Sequence, residues 1–265
     1  MPFEIGWFST GKDRQALKLL EETFEAIRGG KIKELQISYV FCNREEGENR
    51  ESDEFINFVK KISIPIICFS SRKFKPELRK KALSEARKNN FQPINSWRIL
   101  YDDRIIEMIK DKKTKVIFLA GYMLILGEKL CREFTILNLH PALPEGPRGT
   151  WQEVIWQLIK KRATKTGIMI HRVTPELDAG PAFTYCEFPL KGKKFDPLWK
   201  RMEKKLNDKT LHQIKKEEGE REPLFMAIRQ EQKKREIPLV LSTLKLLAER
   251  KLNPETIKKP IFLKV

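Results

Sequence analysis

Strand-like and helix-like stretches alternate from the first residues of this chain, and that alternation limits the folds open to it more than any other feature. Phe3 to Ser9 is apolar enough for a strand, Ala16, Leu17, Leu20, Phe24 and Ile27 then recur at helical spacing, and Gly29-Gly30 ends that helix. Leu35 to Cys42 reads as a second strand. Ser52 or Asp53 caps a helix carrying Phe55, Phe58, Val59 and Ile62, and Ile64 to Phe69 reads as a third strand. A helical crossover returns the chain to the end of the sheet it left, so a βαβαβ order predicts parallel pairing.

Beyond it, Phe74 to about Lys112 is helical and charged with a break at Asn89 to Pro93, and Val116 to Ala120 is short and β-branched enough for a central strand. Residues 136–139 form another strand. Thr150-Trp151-Gln152-Glu153 has capping-box spacing, followed by the apolar face Trp151, Val154, Ile155, Leu158 and Ile159. Thr166 to Val173 and Ala182 to Phe188 are strands joined by a turn too short for a crossover helix, so they should be antiparallel. From Lys191 the chain is helical and charged to Arg235, and a last helix from Ile237 to Lys251 regains an apolar face. The expected fold is α/β: a Rossmann-like, mostly parallel sheet with helices on both faces and one antiparallel pair, in a single domain over 1–265.

The totals exclude several classes. With 40% hydrophobic and 34% charged residues the chain is globular, and no segment nears the roughly 18 apolar residues that cross a bilayer. No membrane association is expected, and the N-terminus has no leader-like pattern, so a cytoplasmic protein is the default. Cys42, Cys68, Cys131 and Cys186 are scattered and three histidines accompany them, which predicts reduced thiols and no metal. The formal charge of +17 raises the question of a polyanionic partner. Lysines and arginines are interleaved with glutamates, though, as in Lys215-Lys216-Glu217-Glu218, so solvated helix faces are expected rather than a nucleic-acid surface.

Asn138 and His140 break the rule that a strand buried on both faces is apolar, and they do so just before Pro141, at the C-terminal strand end where α/β folds place ligands. Two positions apart on an extended chain, they point the same way. On these residues alone, a hydrogen-bonded core histidine beside a turn-forming asparagine and a catalytic pair are both open. The loop 141–149 leads into a helix N-terminus, a site that favours anions.

Three segments then carry a resemblance: Ala120-Gly121-Tyr122-Met123-Leu124-Ile125-Leu126, Leu137-Asn138-Leu139-His140-Pro141-Ala142-Leu143-Pro144 and Glu176-Leu177-Asp178-Ala179-Gly180-Pro181. In order and spacing they resemble the 10-formyltetrahydrofolate-dependent formyltransferases. The likeness runs from Phe3 to about Leu252, with probable helical insertions at about 80–102 and 192–225, and includes Ile237-Pro238-Leu239-Val240 at the expected start of the final helix. It implies that Asn138, His140 and Asp178 form the catalytic group. Asn138 would donate to the oxyanion formed when an amine attacks the formyl carbon, His140 would move the proton, and Asp178 would favour the imidazolium. Without the resemblance, Asp178 reads as a turn aspartate bonding its own backbone.

The resemblance further implies that Met123, Leu124, Ile125 and Leu126, with Arg72, bind 10-formyltetrahydrofolate as co-substrate, with no metal. The family's phosphate-binding loop after the first strand is altered. Ser9-Thr10-Gly11-Lys12-Asp13-Arg14 lacks the second glycine, and Gly11, Lys12 and Arg14 are the candidates for holding a phosphate. An ordinary strand-to-helix turn is the other reading. The implied partners are small molecules, with no nucleic acid and no membrane, acting on a monomer or homodimer. The implied reaction is formyl transfer to the amine of a small phosphorylated acceptor, phosphoribosylglycinamide of purine biosynthesis leading. The alternatives are the same donor with an amino sugar, methionyl-tRNA or water, or a basic nucleic-acid-binding protein that has lost catalysis.

Overall fold

Apolar strands linked by helices organise the chain into two compact units, one made of Met1–Asn138, Arg172–Gly180 and Leu244–Thr256, the other of Leu139–His171, Pro181–Thr243 and Ile257–Val265. The structure is a computed structural model describing residues 1–257 and 259–265.

In the first unit, β1 (Phe3–Ser9), β2 (Leu35–Cys42), β3 (Ile66–Cys68), β4 (Val116–Leu119) and β5 (Thr135–His140) pair in parallel in the order β3-β2-β1-β4-β5. The crossovers are helical, as the alternation requires. Asp13 caps α1 (Arg14–Arg28), its carboxylate accepting from the Ala16 N–H at 2.9 Å. The next helix, α2 (Arg50–Lys61), is capped by Asn49 rather than by Ser52 or Asp53: the Asn49 side chain accepts from the Ser52 N–H at 3.2 Å. Ser52 is buried and its hydroxyl donates to the Thr10 carbonyl at 3.1 Å, so it is already engaged. β3 is shorter than the expected 64–69 because Pro65 has no N–H to donate to a ladder.

The charged region after β3 folds as α3 (Pro76–Ala86) and α4 (Gln92–Ile109), broken where expected. One face of α4 enters the core. Trp97 and Tyr101 stack with ring centroids 5.1 Å apart, the Trp97 indole N–H donates to the Phe74 carbonyl at 3.1 Å, and Tyr101 donates to the Phe69 carbonyl at 2.5 Å. A short α5 (Glu128–Glu133) lies between β4 and β5.

The second unit holds the end of β5, α6 (Trp151–Lys160), β6 (Lys165–Arg172), β7 (Ala182–Pro189), α7 (Asp196–Asp208), α8 (Leu211–Glu217), most of α9 (Pro223–Ala248) and β8 (Ile261–Phe262). β6 and β7 are antiparallel, as their short connection predicts, with Ile168 opposite Cys186; β8 adds a parallel strand to β7 that sequence reading missed. The capping box of α6 forms as read, Thr150 and Glu153 satisfying each other's backbone N–H groups.

The last helix departs from expectation. It begins at Pro223, not Ile237, and Pro238 lies inside it. An internal proline loses a hydrogen bond and costs about 3 kcal/mol. Buried Leu224, Phe225 and Ile228 before it, and Leu239, Val240, Leu244 and Leu247 after it, offset that cost. Some of the charges are paired on the surface, as in Arg50–Glu54 (3.0 Å), Lys129–Asp103 (2.7 Å) and Lys165–Glu187 (2.9 Å), each of little stabilising worth there. Among the described residues no helix is long and apolar enough to cross a membrane.

Candidate active site

Register sets the site. Asn138 pairs with Leu119, the last residue of β4, so it stands half-buried at the C-terminal edge of the parallel strands. The Val173 N–H donates to the Ile136 carbonyl at 2.8 Å, which ties the segment carrying Asp178 to β5 two residues before Asn138. Asp178 adopts a left-handed φ of 49°, a conformation aspartate tolerates better than most residues, in a turn where the Ala179 N–H reaches the Glu176 carbonyl at 3.4 Å.

His140 closes β5 and is 2% exposed. Its Nε2 lies 2.9 Å from the Pro147 carbonyl oxygen. A carbonyl only accepts, so Nε2 carries the proton in this contact and the ring orientation is fixed by the loop it precedes. That loop is braced repeatedly. The Gly146 N–H donates to the Leu143 carbonyl at 2.8 Å and the Gln157 amide donates to the Arg148 carbonyl at 3.0 Å. His171, on β6, turns its ring perpendicular to that of His140 with centroids 5.9 Å apart. It is buried and was overlooked in sequence, although it ends the apolar run Ile168-Met169-Ile170 just as His140 ends its own.

Gln232 of α9 is also new. Fully buried, it donates its side-chain amide to the Pro141 carbonyl at 2.9 Å, one residue past His140. Nothing in the charged run around it distinguishes it. Gln232→Leu keeps the bulk and strands that carbonyl, so stability should fall by about 1–3 kcal/mol in a denaturant titration.

The segment after β4 is anchored by the first strand-to-helix loop. The Thr10 N–H donates to the Gly121 carbonyl at 3.1 Å, and the Met123 N–H donates to the buried Thr10 hydroxyl oxygen at 2.9 Å. Met123 is half-exposed, Leu124 and Ile125 are partly buried, and Leu126 is core. Gly11 has a φ of 58°, and a Cβ there would sit 2.9 Å from the Phe55 Cβ, so glycine is required by backbone and space together. Its N–H already donates to Ser9 Oγ at 3.1 Å, and Asp13 already occupies the Ala16 N–H. Lys12 and Arg14 are exposed at the same loop. Arg72 follows β3, separated by β2 and β1 from the segment after β4; its charged neighbours are Arg44 and Arg79, and it makes no ion pair among the described residues. Among the described residues no group of three His, Cys, Asp or Glu side chains could hold a metal ion.

A side-chain amide at 138 and an imidazole at 140 end one strand of a mostly parallel α/β scaffold, and groups of these types can donate a hydrogen bond and carry a proton. Comparison with known proteins supplies the class. Residues 18–210 match the family model described as formyl transferase. The chain is 32% identical over 152 residues to the phosphoribosylglycinamide formyltransferase of Dictyostelium discoideum, covering 54% of this chain and 67% of that protein. Its fold is similar to the crystal structure of glycinamide ribonucleotide transformylase 1 from Symbiobacterium toebii, with a TM-score of 0.64, 16% identity and coverage of 98% and 93% of the two chains. It is also similar to a formyltetrahydrofolate deformylase from Pseudomonas syringae, with a TM-score of 0.61, 15% identity and coverage of 99% and 67%. The chain belongs to the formyl transferase family, and it is an enzyme of one-carbon group transfer.

Proposed function

We propose that this enzyme transfers the formyl group of 10-formyltetrahydrofolate to the amine of phosphoribosylglycinamide. The observation that carries the reading is the pair Asn138 and His140 at alternate positions of the C-terminal end of β5, in a chain of this family. The amine nitrogen attacks the formyl carbon, and the carbonyl oxygen takes up negative charge. An Asn138 side-chain N–H donates to that oxygen. His140 takes the proton from the attacking amine and delivers it to N10 of the folate as the C–N10 bond breaks, so the enzyme regains its starting protonation state. Asp178 favours the charged imidazole. Met123 to Leu126 and Arg72 hold the folate, and no metal takes part.

Gly11, Lys12 and Arg14 hold the acceptor's phosphate in this reading. Two backbone N–H groups of that region are already bonded, so side-chain charge must do more of the work than loop amides. Reversing it in a Lys12→Glu, Arg14→Glu double variant should raise the acceptor KM at least tenfold and leave the donor KM within twofold in steady-state assays. The same occupied amides favour the second reading, in which the donor chemistry is kept and the acceptor is an amine without phosphate, or water. The deciding experiment follows loss of 10-formyltetrahydrofolate by absorbance with and without phosphoribosylglycinamide. Loss that requires the glycinamide supports the first reading. Loss at the same rate without it supports hydrolysis.

A further inference from the structure

The segment Met123 to Leu126 is pinned at both ends by buried side chains from elsewhere in the fold. At its start the Met123 N–H donates to Thr10 Oγ1 at 2.9 Å, and Thr10 is fully buried. At its end the Gly127 N–H donates to an Asp102 carboxylate oxygen, and Asp102, on α4, is 3% exposed. Residue 127 is glycine for a reason of space: a Cβ there would meet Asp102 Oδ2 at 2.8 Å, so any other residue would push the carboxylate away.

We propose that Asp102 is a positioning residue for the formyl donor: by accepting the Gly127 amide proton it fixes the donor-binding segment against Thr10, and its protonation releases that end. The inference rests on the reading of Met123 to Leu126 as the donor segment. Asp102 touches no reacting atom and acts through the backbone of 123–127.

Its surroundings make it titrate in a useful range. Burial raises the carboxyl to about 7, against the opposing effects of the Gly127 N–H and of Arg98 one turn earlier on α4, while Asp103 beside it adds to the rise. Asp103 is itself paired with Lys129 of α5 at 2.7 Å. Tyr101, Tyr122 and Cys131 also face Asp102, and burial raises all three, so they stay neutral through this range. A charged carboxylate accepts the Gly127 proton more strongly than a neutral carboxyl does. The donor segment is therefore held above pH 7 and loosened below it.

Function and stability should then respond with opposite signs. A carboxyl whose folded pKa lies above its unfolded value costs the fold stability as pH rises between the two, so an ionised Asp102 destabilises the protein at pH 8. Asp102→Asn removes the charge and keeps an acceptor oxygen. At pH 8 it should raise the donor KM by about tenfold, with a smaller effect on kcat, while Tm rises or stays level. From pH 8 to pH 6 the wild-type KM should climb toward that of the variant, whose own KM stays flatter. Asp102→Ala should speed hydrogen exchange of the 121–127 amides in the donor-free protein.

An unchanged donor KM in Asp102→Asn overturns the proposal. So does a KM that rises together with a lower Tm, because that is the mark of a merely structural carboxylate. Wild-type protein that neither binds nor consumes 10-formyltetrahydrofolate instead overturns the donor reading itself, and the exchange measurement still decides whether Asp102 pins Gly127.

Discussion

His140→Ala lowers kcat by about 10²–10⁴-fold, the span over which a positioned general acid–base group acts. The prediction follows from how the ring is held. His140 is buried at the end of β5, its Nε2 proton is engaged by the Pro147 carbonyl, and the ring of His171 stands against it. A histidine so fixed cannot be replaced by a water that finds its own place. The alternative, a core histidine satisfied by its loop, predicts a change in stability without a specific loss of rate. His140→Gln separates the two, since glutamine can still donate to the Pro147 carbonyl and cannot titrate. Thermal unfolding should show that His140→Gln melts near the wild-type temperature, and steady-state turnover should show that it is as slow as the alanine variant. A glutamine variant with wild-type turnover removes His140 from the chemistry.

Asn138→Ala should lower kcat by about 10²–10³-fold, the effect of deleting one oxyanion donor in a preorganised site. Its register beside Leu119 puts the amide at the C-terminal edge of the strands, where it is supported by backbone pairing on a rigid strand rather than by a loop. Asn138→Asp provides the sharper contrast. The side chain keeps its size and loses its donors, and its negative charge opposes the developing oxyanion, so it should be slower than the alanine variant. Single-turnover formyl transfer reads the step itself. An aspartate variant faster than the alanine variant would contradict the role of Asn138 as a donor.

The fold was readable where local signals and topology agree. The βαβαβ start needs only the spacing of Ala16, Leu20 and Phe24 between apolar strands, and the antiparallel pair needs only a connection too short for a helix. It was less readable where a tertiary contact outweighs a local rule. Ser52 resembles a cap until Thr10 is seen to accept its hydroxyl, and Pro238 resembles a helix start until apolar burial on both sides carries the helix through it. Asn138 and His140 announced themselves by violating the apolar pattern of a buried strand. Gln232 and Asp102 could not, because their partners lie 91 and 25 residues away in sequence and each sits among charged neighbours. Such long-range pairs leave no periodic trace.

The most direct test of the account is transfer of a labelled formyl group. With 10-formyltetrahydrofolate carrying carbon-13 in the formyl position, wild-type protein should place the label on the amine of phosphoribosylglycinamide, and the His140→Ala and Asn138→Ala variants should do so at rates lower by the factors given above. Label that stays on the folate, or that reaches the acceptor equally fast with either variant, would contradict a formyl transfer carried by these two residues.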